Sequence, residues 1–294
     1  MRQRRGIVRT SGLVFGFLLL VTILASTISI VPVAYAATPS LDCGSPSACI
    51  ATSGKASGSS HSITMTGSLS TSSSPDLIVV IETGDATGEN FTTPTLTGVA
   101  FTSVCTSTSS APIMGIYAGE ASSLLSGATV TATVDGNKGT SVGGMVAFGI
   151  SGYDSSATSA FDGTCSTTSA SSGTALSLST GSLAYGNDFI FGVAASSGGT
   201  ISSTGSTTSI AANTAAVYTG AGYQLGSGAS SYTLTFSSSS TGAWTEAVAA
   251  VKAATPSAVP LFPAGMLPLL TALPLIYYYM ARRGVANSEE GDSQ

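Results

Sequence analysis

The chain has 294 residues, of which 43% are hydrophobic and only 8% are charged, and about three in ten are Ser or Thr. Short apolar runs recur between Gly, Ser and Thr, which excludes a chain kept disordered by charge. From Ala37 to Ala258 there are three lysines, eleven carboxylates and no arginine, a net charge of −8. A surface of that sign repels phosphate backbones and excludes nucleic acid as a partner.

The first 36 residues have the three parts of a secretory signal peptide. Four arginines fall within the first nine residues, an apolar run follows from Leu13 to about Ile30, and Ala34-Tyr35-Ala36 is a small-x-small cleavage site. We expect a signal helix that is cleaved after Ala36. The alternative is an uncleaved signal anchor, because the apolar run is long for a signal peptide. Both alternatives place the centre of the chain outside the cell.

Four cysteines lie in the exported part of the chain, where the compartment is oxidising and an even number indicates disulfides. Residues 37–61 are expected to form a linker that contains a small loop closed by Cys43 and Cys49. The second favoured pair, Cys105 with Cys165, joins two parts of the following domain, and the other two pairings stay open. A zinc site is disfavoured, because the chain has no C-x-x-C motif and a single histidine.

Residues 62–253 predict an all-β ectodomain made of short strands. Each run is rich in β-branched and aromatic residues and bounded by turn residues, and several runs alternate apolar and polar residues. No amphipathic helix of useful length interrupts them, which favours an antiparallel β-sandwich or a jelly-roll-like fold. The predicted strands are Asp76–Glu82, Pro112–Gly119, Ala128–Val134, Val142–Ser151, Ala175–Thr180, Asp188–Ser196, Ala215–Leu225, Ser231–Ser237 and Ala243–Ala253.

The strand sequences repeat once within this domain. Asp76-Leu-Ile-Val-Val-Ile matches Asp188-Phe-Ile-Phe-Gly-Val, and two later pairs of strands also match, so the halves run from about 62 to 151 and from about 175 to 253. The halves are either two small sandwiches or two parts of one larger jelly roll. We favour one domain, because neither half alone offers many large apolar residues to bury.

The same strands resemble a β-sandwich module that recurs in secreted and phage-associated bacterial proteins. The resemblance covers roughly Ser62 to Ala253 and is carried by D-L-I-V-V, T-V-T, A-F-G-I-S-G-Y-D-S-S-A-T-S-A-F-D-G, D-F-I-F-G-V and A-W-T-E-A-V-A-A-V-K, in that order. Tyr153 and Ala160 replace a Val and a Pro of the module's Ser-Gly-Val-Asp and Pro-Phe/Leu-Asp motifs. Because the module has no assigned catalytic activity, the resemblance implies fold and surface location only.

Acidic residues cluster in the segment E-T-G-D-A-T-G-E-N, which contains Glu82, Asp85 and Glu89. Loop carboxylates and carbonyls can hold Ca²⁺, so these three residues are candidate calcium ligands. The alternative is that they keep a surface with few charges soluble, in which case the protein needs no cofactor. Asn90 follows them in the sequon Asn-Phe-Thr, which predicts N-glycosylation at that position.

Two further side chains, Trp244 and His61, are of types that often serve in binding or catalysis. Trp244 begins the last predicted strand, where a half-exposed ring can stack on a sugar, and a core position is the alternative. His61 is the single histidine of the chain and lies among serines in G-S-S-H-S-I-T. A solvent-facing histidine is a simpler interpretation than a Ser-His-Asp triad. Since no nucleophile elbow or phosphate-binding loop occurs either, no catalytic residue is assigned.

The chain ends in a linker, an apolar segment and a charged tail, which are residues 254–258, 259–281 and 282–294. A helix of about 22 apolar residues is roughly 33 Å long, enough to cross a bilayer. Tyr277–Tyr279 then lie at the headgroup level, and Arg282 and Arg283 on the cytoplasmic side. Prolines interrupt the segment, however, and the helix that is regular from about Met266 is short for a permanent span.

This tail resembles the tripartite C-terminal signals of archaeal and bacterial surface proteins. The resemblance covers Pro256 to Arg283 and rests on a low-complexity region, a Pro-Leu-Phe-Pro element, the apolar helix and the Arg pair. In that class, a membrane transpeptidase removes the tail and attaches the protein to a lipid or wall component. The acidic continuation G-V-A-N-S-E-E-G-D-S-Q departs from such signals and favours a retained type I anchor. Both alternatives predict display at the cell surface.

Together these features predict a non-enzymatic protein whose ectodomain is held at the cytoplasmic membrane by a C-terminal helix. Its expected role is adhesive, envelope-structural or filament-forming, with cell-envelope components, glycans or other copies of the chain as partners. The alternative is an extracellular carbohydrate-binding module assisted by calcium. Sugar binding that is lost in Trp244→Ala or Asp85→Ala, or on addition of EDTA, separates the two.

Overall fold

The computed structural model describes residues 37–44, 49–56, 62–135, 142–155, 160–214, 217–254 and Tyr278. The chain divides into two compact units, one formed by residues 36–255 and the other by the two ends, 1–35 and 256–294. The expected signal helix and, apart from Tyr278, the apolar segment 259–281 lie outside the described residues. In the part of the chain that is described, no helix is long and apolar enough to cross a membrane.

The unit formed by residues 36–255 is all-β, as the alternation in the sequence predicts, and its sheets are antiparallel. Its described strands are β1 (Ser40–Asp42), β2 (Ile50–Lys55), β3 (Ser62–Leu69), β4 (Asp76–Gly84), β5 (Asn90–Thr95), β6 (Thr102–Ser107), β7 (Ile113–Ala121), β8 (Ala128–Asp135), β9 (Val142–Ser151), β10 (Ser166–Ser179), β11 (Phe189–Ser196), β12 (Ile201–Ser203), β13 (Thr208–Ala212), β14 (Tyr218–Leu225) and β15 (Thr233–Val251). The sequence does not predict seven of these strands, which are short or interrupted by Ser, Thr and Gly and lack a continuous apolar run: β1, β2, β3, β5, β6, β12 and β13.

The first sandwich consists of strands β1 to β9 in two layers. Its larger sheet has the order β9-β4-β7-β6, and β1 and β2 lie one after the other along the remaining side of β9. Strands β3, β8 and β5 form the smaller sheet, which packs on one face of the larger sheet. Ile78 and Val80 of β4 point into this core and meet Met65 and Val134 of the smaller sheet.

The second sandwich is built from β10 to β15, and two of these strands serve both of its layers. The sheet has the order β10-β15-β11-β14-β13, with β12 beside the first part of β15. The pairing of β10 with β15 is irregular between Ala170 and Ala175, where the strands bend. Beyond the bend, Leu176 and Phe236 pack against Ile190 of β11, so that one folded sheet supplies both layers.

The two sandwiches have the same strand arrangement. The order β9-β4-β7-β6 in the first corresponds to β15-β11-β14-β13 in the second. In register, Leu77 of β4 faces Ile150 of β9, and Phe189 of β11 faces Val251 of β15. These two pairs mark equivalent positions, from which any residue of one central sheet can be matched to a residue of the other.

The larger sheets of the two sandwiches pack face to face through a shared core. Val79 and Phe148 of the first sandwich and Phe191 and Ala249 of the second belong to it. The rings of Phe148 and Phe191 meet edge to face with their centroids 5.6 Å apart. Four layers are therefore stacked, and both faces of β4 and β11 are buried. Central strands buried on both faces explain the unbroken apolar runs of the sequence.

One end of the stack is where the central strands β4 and β11 begin and where β9 and β15 end. Beyond these strands, Tyr153 pairs with Ala253, and the Ala254 N–H donates to the Gly152 carbonyl over 3.0 Å. Gly152 has a φ of 70°, and a Cβ there would press on the Thr38 carbonyl, so glycine is required. We call this the exit end, because the described chain enters beside Gly152 and leaves at Ala254.

Candidate functional site

The three candidate calcium ligands are not gathered into a metal site. Glu82 is fully buried on β4, and Glu89 is 3% exposed and packs over Gly84. Asp85 uses its Oδ1 to accept a hydrogen bond of 3.1 Å from the Val142 N–H. Across the described ranges, no group of three or more His, Cys, Asp or Glu side chains is arranged to hold a metal ion.

The predicted glycosylation site lies at the start of an edge strand. Asn90 is the first residue of β5, faces Asp135 of β8 in register and is exposed to solvent. The position is accessible to an enzyme that transfers a glycan, and the modification itself stays a prediction.

Trp244 is half-buried rather than an open platform. Its ring packs beside the core of the second sandwich and covers Gly173 of β10, where a Cβ would lie 2.7 Å from the indole Nε1. That buried nitrogen has no hydrogen-bond acceptor in the described part of the chain. Most of the ring is therefore committed to packing, which leaves a small face for stacking on a sugar.

Both disulfides are formed, with the pairing that the sequence favours. The Cα atoms of Cys43 and Cys49 are 5.1 Å apart, and those of Cys105 and Cys165 are 5.9 Å apart. The second bond joins the edge strand β6 of the first sandwich to the segment that leads into β10 of the second. Two disulfides in one domain fit an extracellular or otherwise oxidising environment.

A carboxylate at the end of β1 holds the segment that leads into β4. Asp42 is 4% exposed and accepts hydrogen bonds from the N–H groups of Ser72 and Ser73, both at 2.8 Å, and from both of their hydroxyls. Burial acts to raise the pKa of Asp42, but these bonds and one from Gly44 together lower it. Asp76 lies beside it and has a raised pKa, mainly because of burial.

A second pair of aspartates holds the segment that leads into β11 of the second sandwich. The Oδ2 of Asp162 accepts hydrogen bonds from the N–H groups of Ala184 at 2.7 Å and Tyr185 at 2.9 Å. Asp188 begins the strand that follows, and burial together with the neighbouring Asp162 raises its pKa to about 6. Lys252 and the Ala253 N–H partly offset this rise.

The two aspartate pairs occupy equivalent positions. Asp42 faces Gly149 of β9 in register, and the Asp162 N–H donates to the carbonyl of Ala250, the residue equivalent to Gly149. The pairs are thus a repeated structural device that fixes the entry into each central strand. Sequence reasoning missed it, although an apolar-Asp-small pattern, L-D-C and F-D-G, precedes each half as a usable signal.

Each sandwich also buries one glutamate between its own two layers. Glu82 and Glu246 are fully buried, and their carboxyl oxygens have no hydrogen-bond partner among the described residues. Burial raises the pKa of Glu82 to about 9 and that of Glu246 to about 8. Glu82 of β4 faces Met145 of β9, and the equivalent pair in the second sandwich is Ala194 of β11 and Glu246 of β15. The glutamate therefore lies on the central strand in the first sandwich and on its neighbour in the second.

A shallow cleft runs along edge strand β6 between the two larger sheets. Its two parts have volumes of about 460 and 310 Å³ and share Thr102 and Phe161. Hydroxyls of Ser103, Thr106 and Thr164 line the first part. The second part is lined by Glu120, Tyr153 and Asp154, among others. Such a mixture of hydroxyls, carboxylates and one half-exposed ring can bind polar ligands by hydrogen bonds and stacking.

Several sequence predictions fall outside the described residues. They concern the cleavage site at Ala36, the single histidine His61, the apolar segment 259–281 and the arginine pair that follows it.

Comparison with known proteins adds no relative. A scan against protein-family models finds no match, and a search of curated proteins finds no significantly similar sequence. The fold and the disulfides define the chain as an all-β protein with two stacked antiparallel sandwiches and two disulfide bonds.

Proposed function

We propose that this chain is a non-enzymatic cell-surface protein. Its stacked sandwiches form an ectodomain outside the cytoplasmic membrane, and its role is adhesive, envelope-structural or filament-forming. The observation that carries the proposal is the pair of disulfides, in a domain that lies between a predicted export signal and an apolar tail. Thiols of a domain that stayed in a reducing cytoplasm would not be expected to pair.

The layout of the domain supports display from a membrane. The described part of the domain begins and ends at the exit end, which suits attachment of an anchor at that end alone. Exposed positions of the edge strands β5 and β6 carry Asn, Thr and Ser and no charged side chain. Such a surface is soluble through hydroxyl groups and leaves strand edges for association with other copies or envelope polymers.

The finer parts of the proposal concern the chain ends. Residues 1–36 are a signal peptide cleaved after Ala36, and residues 259–281 are a transmembrane or sorting segment followed by a short tail. The resemblance of the tail to tripartite surface-sorting signals and of the ectodomain to a β-sandwich module of secreted and phage-associated bacterial proteins supports surface display. The Asn90 sequon adds an N-glycan in cells that have the transferase.

The test is the intact mass of the protein purified from its native membrane, before and after reduction and deglycosylation. A mass from Ala37 to Gln294 that gains four hydrogen atoms on reduction supports a retained anchor with both disulfides. A mass that ends near Pro256 with an added group supports a processed surface layer. A protein recovered from the cytoplasm with residues 1–36 attached and free thiols would contradict surface display in either form.

A carbohydrate-binding module is the second candidate, and the cleft along β6 favours it. Glycan binding there depends on Phe161, whose half-exposed ring lies between the two parts of the cleft. A polysaccharide screen with and without EDTA, repeated with Phe161→Ala, Trp244→Ala and Asp85→Ala, locates any site. Binding lost only in Phe161→Ala places it in the cleft, and loss in Asp85→Ala together with EDTA sensitivity indicates a calcium-assisted site instead.

A further inference from the structure

We infer that the exit end of the ectodomain is a lipid-contacting surface, which rests on the outer headgroups of the membrane that anchors the chain. The inference rests on the proposed anchoring and adds to it an orientation and a partner of defined chemistry, a phospholipid surface.

The large hydrophobic side chains that are exposed in the described part of residues 37–254 share one location. They are Leu124, Tyr185 and Leu225, with exposed fractions of 56%, 50% and 48%. Single exposed hydrophobic residues are common on soluble proteins and need no explanation. Three that gather at one end of an otherwise hydroxyl-rich domain do need one.

All three residues lie at the exit end. Leu124 lies in the turn after β7, whose last residue Ala121 faces the start of β4. Leu225 is the last residue of β14 and faces Phe189 at the start of β11. Tyr185 lies in the segment that precedes β11. The three side chains therefore come from both sandwiches.

A cation accompanies the apolar groups. The Lys252 Nζ lies 5.4 Å from the centre of the Tyr185 ring, just before the chain leaves the domain. A tyrosine beside a lysine suits the headgroup region, where an aromatic ring can reach apolar carbon while its polar tip stays among polar groups. Glu120 is also exposed at this end, which favours zwitterionic over strongly anionic lipid.

The opposite end of the stack exposes no large hydrophobic side chain among the described residues. There β15 bends, and its exposed residues are Ser239, Ser240 and Thr241. Both ends expose hydroxyl groups, and among the described residues of the domain only the exit end also exposes large hydrophobic side chains.

The length of the linker places the exit end close to the bilayer. Val259, the first residue of the apolar segment, follows Ala254 by five residues. Five extended residues span at most about 17 Å, roughly half the thickness of a bilayer's hydrocarbon core. An anchored ectodomain cannot move far from the surface, and contact through the exit end removes its exposed apolar groups from water.

The test uses the full chain reconstituted in phosphatidylcholine vesicles that contain a nitroxide-labelled lipid. Leu124→Cys and Leu225→Cys are each labelled with an environment-sensitive fluorophore, and Thr241→Cys at the opposite end is the matched control. The four native cysteines do not react, because they form the two disulfides. We expect blue-shifted emission and several-fold stronger quenching by the nitroxide at positions 124 and 225 than at position 241.

Other outcomes are distinguishable. Equal and weak quenching at all three positions, in protein that floats with the vesicles, overturns the lipid contact while the anchoring stands. Protein that does not float with the vesicles contradicts the anchoring itself. A blue shift at positions 124 and 225 without quenching, which disappears on dilution of protein in the bilayer, shows that two copies pair through this end and overturns the lipid contact.

Discussion

At the scale of single residues, the buried glutamates decide how stability depends on pH. The folded protein keeps the proton of Glu82 up to about pH 9 and that of Glu246 up to about pH 8, whereas the unfolded chain releases both near pH 4.5. Their contribution to stability is therefore fully present below pH 4.5 and is lost as the pH rises toward 8 and 9. Asp188, with a pKa near 6, acts in the same direction.

We expect Glu82→Gln and Glu246→Gln to flatten this dependence. The wild-type free energy of unfolding falls by about 1.4 kcal/mol per pH unit for each acid between pH 5 and 7. An amide of the same shape does not titrate, so each variant loses its part of the slope and becomes relatively more stable at higher pH. Urea unfolding at several pH values measures the slope, and an unchanged slope in both variants would contradict burial of these acids.

Asp42 is expected to act in the opposite direction. Its pKa is lowered in the folded state, so its contribution is present at neutral pH and is lost as the pH falls through that lowered value. Asp42→Asn replaces charge-assisted bonds to Ser72 and Ser73 and should cost about 2 kcal/mol of stability at pH 7. Thermal unfolding measures the effect, with the exposed Asp135→Asn as control. Equal stability of the two variants would refute the role of Asp42.

Residue roles were only partly predictable from the sequence. The structure forms the disulfide pairing that the sequence favours among the three possible ones. Glu82 was grouped with the acidic loop, because no local signal shows that β4 continues to Gly84 and turns this side chain inward. The aspartate pairs depend on contacts between residues far apart in the sequence, such as Asp42 with Ser72 and Asp162 with Ala184, and periodicity carries no information about such contacts.

At the scale of elements, β15 is the largest departure from the sequence prediction. Residues 231–237 and 243–253 predict two strands, but one strand runs from Thr233 to Val251. The connecting Ser/Thr-Gly run contains neither Pro nor Asn-Gly to reverse the chain, so it stays extended and bends instead. Small polar residues occur both in turns and in bent strands, so the composition of this run predicts a turn where the structure has a bend.

The bend depends on Gly173 of β10. A Cβ at this position would overlap the indole nitrogen of Trp244, which lies 2.7 Å from it. We expect Gly173→Ala to destabilise the protein by about 1–3 kcal/mol through overpacking, and the smaller ring in Trp244→Phe to relieve part of the cost. Gly181→Ala, which meets no atom within 4 Å, is the control. A double-mutant cycle measured by urea unfolding tests this coupling, and additive effects would argue against it.

The two disulfides differ in how they stabilise the elements. Cys105–Cys165 closes a loop of 60 residues and Cys43–Cys49 one of 6. A chain-entropy model assigns about 4 kcal/mol to the longer loop and about 2 kcal/mol to the shorter one. We expect the double Ala variant at positions 105 and 165 to lower the melting temperature more than the one at 43 and 49. Calorimetry without reductant makes the comparison, and the reverse order would show that native packing outweighs loop entropy.

At the scale of the whole molecule, the all-β class and the internal repeat were predictable. Alternating and β-branched runs gave the class, and Asp76-Leu-Ile-Val-Val-Ile with its counterpart at Asp188 gave the repeat. The stacking of four layers was not predicted. An unbroken apolar strand shows that both of its faces are covered but does not show what covers each face, and here a second sandwich covers one of them.

Gly152 touches both ends of the described chain, since it lies against Ala37 and Thr38 and accepts the N–H of Ala254. A domain whose two ends meet in this way can be transplanted into a surface loop of an unrelated carrier with short joints and little strain. It can also be circularly permuted, with new termini opened at an exposed turn and the original termini joined. We expect residues 37–254 to tolerate both operations, with the disulfides and the melting transition retained as the measure of success.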